Sequence, residues 1–115
     1  MIKSGDIVLI RFPQTNLKEG KLRPALVVAI SPHGKNDVLL ALISSRIHQA
    51  VKDFDIIINT FDDDYITSGL KVTSVIRLGR LATIDSSIIN ARLGNISNER
   101  LKQVRRHLIN WLEPR

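Results

Sequence analysis

Arg23 and Pro24 stand directly in front of the apolar run "ALVVAI". Proline fixes its own φ and donates no backbone hydrogen bond, so it suits a strand's first residue rather than its middle. The same ring holds Arg23 extended at a loop–strand junction, a rigid base from which to aim a charged fork of donors. A lone Arg-Pro pair is more often a solvated charge at a strand end, so its weight depends on the rest of the chain. Proton transfer near neutrality suits histidine, and there are three. His33 sits in a polar turn and His107 in the last helical stretch among polar neighbours. His48 follows closely on the apolar run that ends at Ser44, which makes it the candidate by proximity. A histidine in a polar loop is nonetheless usually just solvated. Asp62, Asp63 and Asp64 invite a metal reading, but consecutive carboxylates point in different directions and no further ligand stands at the right spacing. A solvated turn is the simpler expectation.

These residues need a scaffold, and composition bounds it. At 115 residues the chain reads as one domain, 1–115. Hydrophobic residues make up 43% and charged residues 24%, which argues for a globular protein and against disorder. Aromatics are only 4%, so the core is built from Ile, Leu and Val. The absence of cysteine excludes disulfides, thiolate zinc sites and a cysteine nucleophile. The start, "MIKSGDIVLIRF", carries charges through its short apolar run and does not resemble a signal peptide. No apolar stretch approaches the roughly 20 residues needed to span a bilayer, so a soluble, cytoplasmic protein with no membrane partner is expected. A net charge of +6 favours polyanions, nucleic acid first and an acidic protein partner second.

The pattern along the chain predicts a β-rich body and a helical tail. "GDIVLIRF", the Ala25 to Ile30 run, "VLLALIS" and "DFDIIINT" read as strands, and "KVTSVIRLGRLATI" supplies one long strand or two with Gly79 as a bulge. Residues 13–21, the "SPHGKND" turn and "FDDDYITSG" read as exposed connections, and "SRIHQAVK" as an irregular segment with room for one helical turn. Asp85 is placed to cap a short helix, "SSIINA". Ser97 is placed as the N-cap of the last helix, with Ile96 and Leu101 as a hydrophobic staple. Leu101, Val104, Leu108, Trp111 and Leu112 form its core face, Trp111 included, and Lys102, Arg105 and Arg106 its solvated face. Five to seven short strands with one C-terminal helix predict a mainly β fold, strongly bent or closed into a small barrel.

Five blocks, "SGDIVLIRFP", "KLRPALVVA", "LLALISS", "GLKVTSVIRLGRLATID" and "RLGNISNERLKQVRRHLINWL", occur in the order found in MazF/PemK-type toxins. The chain resembles that family from Gly5 to Leu112. The resemblance implies an SH3-like barrel of the MazF/CcdB type, a homodimer, and a ribosome-independent endoribonuclease of a type II toxin–antitoxin system. It also implies single-stranded RNA as substrate, a short acidic cognate antitoxin as partner, and no cofactor or metal. The family's catalytic arginine before proline falls on Arg23. A hydroxyl residue at the end of the third strand, usually Thr, falls on Ser44, with Ser45 next. Some members carry an arginine two residues before the Ile-Asp of the "TID" element; here that place is Ala82, and Arg80 lies two residues earlier.

Such a reaction uses the RNA's own 2′-hydroxyl to attack the adjacent phosphorus, so the protein has to hold the phosphate in line, neutralise charge and move two protons. Arg23 offers a planar fork of donors for phosphate oxygens, and Ser44 one further hydrogen bond. A guanidinium holds its proton too tightly to act readily as a base, which weights Arg23 towards charge stabilisation and leaves open which group moves the protons, with His48 the candidate by proximity. Residues 13–21 and 45–52 flank these positions. They carry Asn16, Lys18, Lys21, Ser45, Arg46, Gln49 and Lys52, which with Arg80 are the candidates for contacting RNA phosphates and base edges. The alternative reading is a non-catalytic barrel toxin or nucleic-acid-binding module resembling CcdB, a gyrase inhibitor.

Overall fold

The computed structural model describes residues 1–11, 21–32 and 36–114. Among these residues six strands run as β1 (Asp6–Ile10), β2 (Arg23–Ile30), β3 (Asp37–Ser44), β4 (Ile56–Ile58), β5 (Ser74–Asp85) and β6 (Ala91–Asn95). A one-turn helix α1 (Tyr65–Ser68) precedes β5, and α2 (Asn98–Leu112) ends the chain. Every pairing is antiparallel, in the order β4-β5-β3-β2-β1-β6. The fold is mainly β, as the sequence predicts.

The central strands are buried on both faces, which is why they read as continuous apolar runs rather than as alternation. Leu26, Val28, Ala41 and Ile43 enter one cluster, completed by Ile56, Ile58, Ile76 and the inner face of α2. Ala25, Val27, Val38 and Leu40 enter a second, with Val8, Ile10 and Ile84. The twelve-residue β5 serves both clusters by bending. Opposite β3 its register jumps, with Leu42 facing Arg77 but Ala41 facing Leu81. Gly79 lies in the jump, as a bulge should.

Helix α2 starts as expected, with Ser97 Oγ accepting from the Arg100 amide at 3.1 Å and with both Ile96 and Leu101 buried. Its core face is shorter than the periodicity predicts. Leu101, Val104 and Leu108 are buried, but Trp111 is 52% and Leu112 68% exposed. Trp111 forms a T-shaped pair with Phe54, at 5.2 Å between ring centroids. The helical spacing holds through the last turn, but that turn is left largely exposed. Arg105 departs from a purely solvated face, for its Nη2 donates to the Val28 carbonyl at 2.9 Å. Val28 sits in a register break of β2 against β3, where its carbonyl is available.

The segment expected to be an exposed connection at "FDDDYITSG" is instead part of the body. It contains α1, and Asp64 is 4% exposed. Arg100 holds Asp64 with Nε to Oδ2 at 2.8 Å and Nη2 to Oδ1 at 2.9 Å, and also reaches Asp62 at 3.0 Å. The Ser97 amide donates to Asp64 at 3.0 Å. Burial alone would raise the Asp64 pKa, but these donors and the Arg100 charge outweigh it and hold the carboxyl below its ordinary value. Asp63 is exposed, as a solvated turn has it, but Asp64 departs from that expectation because its partner lies 36 residues away. The stretch after Asp85 also differs: the aspartate accepts from the Ser87 amide at 2.8 Å, but only a single 3₁₀ turn follows, and Ala91–Asn95 is the sixth strand.

Two glycines fasten α1 to β6. A Cβ on Gly94 would lie 2.0 Å from the Thr67 carbonyl oxygen, and one on Gly69 2.3 Å from that of Leu93. Gly69 also ends α1 with φ +75°, a left-handed cap that glycine adopts freely. The segment from Asp64 to Val72 thus forms a strap across one end of the sheet, tied to α2 at its start and to β6 at its middle.

Candidate active site

Arg23 opens β2 and Ser44 closes the neighbouring β3. Ala25 faces Leu42 across the ladder, and Arg23 and Ser44 each lie two residues further toward the same end of the sheet. By the period of two they share a face. On the outer sides, Arg23 pairs with Ile10 of β1 and Ser44 with Val75 of β5, so both sit on strands held on two sides. Pro24 takes the place of a strand residue where its missing donor is least costly, next to the loop.

A cavity of about 380 Å³ opens at this end of the sheet, and both residues line it. Lys21 and Ser45 line it too, while Leu22, Leu70 and Leu93 supply an apolar floor. Lys71 completes the wall on the strap side. Among the described residues the lining therefore holds three cations, Lys21, Arg23 and Lys71, and no carboxylate. Several acids of the body are engaged elsewhere, Asp6 with Arg92, Asp55 with Arg77, and Asp62 and Asp64 with Arg100. The Ser44 hydroxyl oxygen accepts from the Arg46 amide at 3.1 Å. That bond takes up a lone pair and leaves the hydroxyl proton to be donated into the cavity.

The other candidates are spread around this centre. Arg46 is exposed beside Ser45. His48 and Gln49 belong to an exposed 3₁₀ turn, Ile47–Gln49, outside the cavity lining, and Lys52 follows on the same exposed stretch. Gln49 Oε1 accepts from Arg77 Nη1 at 3.1 Å, which anchors the turn to β5. Arg80 is exposed on the β5 bulge, away from the cavity. Asn16, Lys18 and His33 lie outside the described residues. His107 Nδ1 contacts the Phe54 carbonyl oxygen at 2.6 Å, which ties α2 to the segment before β4.

Among the described residues, no group of three His, Cys, Asp or Glu side chains converges as a metal site. A wider depression of about 530 Å³ at the start of α2 is lined by Asp62, Asp63 and Asp64, but Arg100 occupies two of those carboxylates. Lys71 is the cavity residue that sequence reasoning missed. It sits in "GLKVTS", and only the fold of the strap brings it to Arg23; no local signal marks it.

The family model described as "PemK-like, MazF-like toxin of type II toxin-antitoxin system" matches residues 3–112. An endoribonuclease from a Mycobacterial species, solved in complex with its cognate antitoxin, has a similar structure, with a TM-score of 0.72 at 13% identity over 100% of both chains. MazF from Deinococcus radiodurans gives a TM-score of 0.70 at 22% identity over 96% of each chain. The Mycobacterium tuberculosis toxin MazF-mt6 gives 0.64 at 17% identity, over 91% of this chain and 93% of that one. No curated protein matches the chain. At these identities the structural likeness establishes the fold.

Proposed function

Because the chain belongs to the PemK-like, MazF-like toxins of type II toxin–antitoxin systems, we propose that it is an endoribonuclease cutting single-stranded RNA at the cavity shared by Arg23 and Ser44. The observation that carries this reading is their convergence: a guanidinium and a hydroxyl from neighbouring strands line one hollow that, among the described residues, is rich in cations and free of carboxylates. That is the charge a phosphodiester needs. A non-catalytic barrel toxin has no need of it.

The RNA supplies its own nucleophile, so the reaction calls for no protein nucleophile and no metal. The 2′-oxygen attacks phosphorus, the P–O5′ bond breaks, and the products are a 2′,3′-cyclic phosphate and a 5′-hydroxyl. Arg23 binds two non-bridging oxygens through its planar fork and offsets the charge that builds on the phosphorane. Ser44 donates its remaining proton to the same group. The 2′-hydroxyl loses a proton and the leaving oxygen gains one. The guanidinium is a poor base for the first transfer, and His48, on its exposed turn, is the nearest histidine in sequence to Ser44.

The same reading makes the protein a homodimer and gives it an acidic antitoxin that covers the cationic cavity. Oligomers of small chains are usually symmetric, and an acidic, partly disordered segment complements an exposed basic hollow. The solved neighbour bound to its cognate antitoxin supports this. The experiment that tests the function is incubation of the purified protein with a long single-stranded RNA in EDTA, followed by end mapping. Discrete cuts with cyclic-phosphate and 5′-hydroxyl ends are expected. Intact RNA would refute the reading.

A further inference from the structure

We propose that Lys71 is a substrate-binding residue, holding a phosphate that flanks the scissile one. The proposal rests on the cavity being a ribonuclease site. Its basis is the order of elements across the sheet end. Ser44 of β3 stands between β2, which carries Arg23, and β5, into which the strap carrying Lys71 runs. With strands about 4.8 Å apart, β2 and β5 are separated by roughly 10 Å. Arg23 and Lys71 thus approach the cavity from opposite sides of Ser44. A strand of RNA lying across the sheet end runs from one cation to the other, which sets Lys71 at a phosphate beside the one that Arg23 holds.

Lys71 is exposed, yet its backbone is fixed on both sides. The Leu70 amide donates to Ser68 Oγ at 3.1 Å, and Ser74 Oγ donates to the Val72 carbonyl at 2.8 Å. Both serines are buried. The strap beneath is locked by the close approach of Gly69 to Leu93 and of Gly94 to Thr67. Among the described residues Lys71 faces no carboxylate in the cavity wall. A flexible ammonium on a rigid pedestal suits a point contact with phosphate, as distinct from the bidentate hold of Arg23.

The test compares wild type, Lys71→Ala, Lys71→Arg and Lys71→Glu as full-length proteins. After the cut is mapped on a long single-stranded RNA, binding is measured with an oligonucleotide spanning it, carrying 2′-deoxyribose at the cleaved nucleotide, over a series of KCl concentrations. Cleavage of the all-ribose oligonucleotide gives kcat and KM. Lys71→Ala is expected to weaken binding roughly fivefold and to lower the salt slope by about 0.7, the value for one phosphate of a single strand. Its kcat should stay close to wild type, Lys71→Arg should restore KM, and Lys71→Glu should be worse than Ala. Unchanged affinity and slope in Lys71→Ala, with wild type still cutting, overturn the proposal and leave the function standing. If the long RNA is bound but not cut, the salt series is run on that RNA itself, and a slope lost in Lys71→Ala upholds the phosphate contact while the nuclease is refuted. If wild type neither binds nor cuts RNA, both fall.

Discussion

Arg100, at the start of α2, grips Asp64 through two hydrogen bonds of 2.8 and 2.9 Å, and so joins the C-terminal helix to the strap that walls the cavity. Both side chains are largely buried, 14% and 4% exposed. Removing one partner strands the other charge. Asp64→Ala should cost about 3 kcal/mol, at the lower end for a buried pair because Asp62 still reaches Arg100. For a chain of this size that lowers the thermal midpoint by roughly 10 °C. A change of a degree or two in calorimetry would contradict the assignment.

The same pair sets a pH dependence. The Asp64 carboxyl is held below its ordinary value in the folded chain, so its contribution is fully present above the unfolded pKa of about 3.9. It is lost as pH falls through the folded pKa. The stability gap between wild type and Asp64→Asn should therefore be constant near neutrality and narrow below about pH 4. Denaturant titrations at several pH values measure it; a gap that widens in acid would reverse the sign and sink the account.

Arg23-Pro24, the ends of β2 and β3, and the Gly79 bulge were legible in the sequence because each is a local signal: a ring that fixes φ, an apolar run, a glycine inside a strand pattern. Ser97 as N-cap was legible for the same reason. Asp64 and Lys71 were not. Aspartates in a polar stretch look solvated until Arg100 is brought to them from the far end of the chain. Lys71 acquires a role only when Gly69 and Gly94 press the strap against β6. Trp111 fits the helical period, and only the extent of the sheet decides whether that period has anything to pack on.

Gly94 offers a test of the strap. An added methyl there would meet the Thr67 carbonyl oxygen at 2.0 Å, so backbone has to move. Gly94→Ala should destabilise by about 2–3 kcal/mol, as overpacking does, and reduce RNA cleavage in the fraction that remains folded. Wild-type stability with wild-type cleavage would show that the strap's seating on β6 does not matter.

Ser44 and His48 separate positioning from proton transfer. Ser44→Ala removes one neutral donor and should slow cleavage by about tenfold, while Ser44→Thr, which keeps the hydroxyl, should retain most activity. His48 lies on an exposed turn outside the cavity lining, so His48→Ala should slow cleavage less than Ser44→Ala and leave the shape of the pH–rate profile unchanged. A changed pH–rate profile in that variant would instead place His48 in the chemistry.

The central claim is that the guanidinium of Arg23, aimed from the first residues of β2, stabilises the charge on the scissile phosphate. Single-turnover cleavage of one RNA by wild type, Arg23→Ala and Arg23→Lys tests it most directly. Arg23 is exposed at a strand end, so both variants should fold and melt like wild type. Arg23→Ala should be slower by about a hundredfold to a thousandfold, the loss expected for one fixed oxyanion donor. Arg23→Lys keeps the charge but loses the fork, and should remain badly impaired. An Arg23→Ala protein that folds normally and cuts at the wild-type rate would contradict the account.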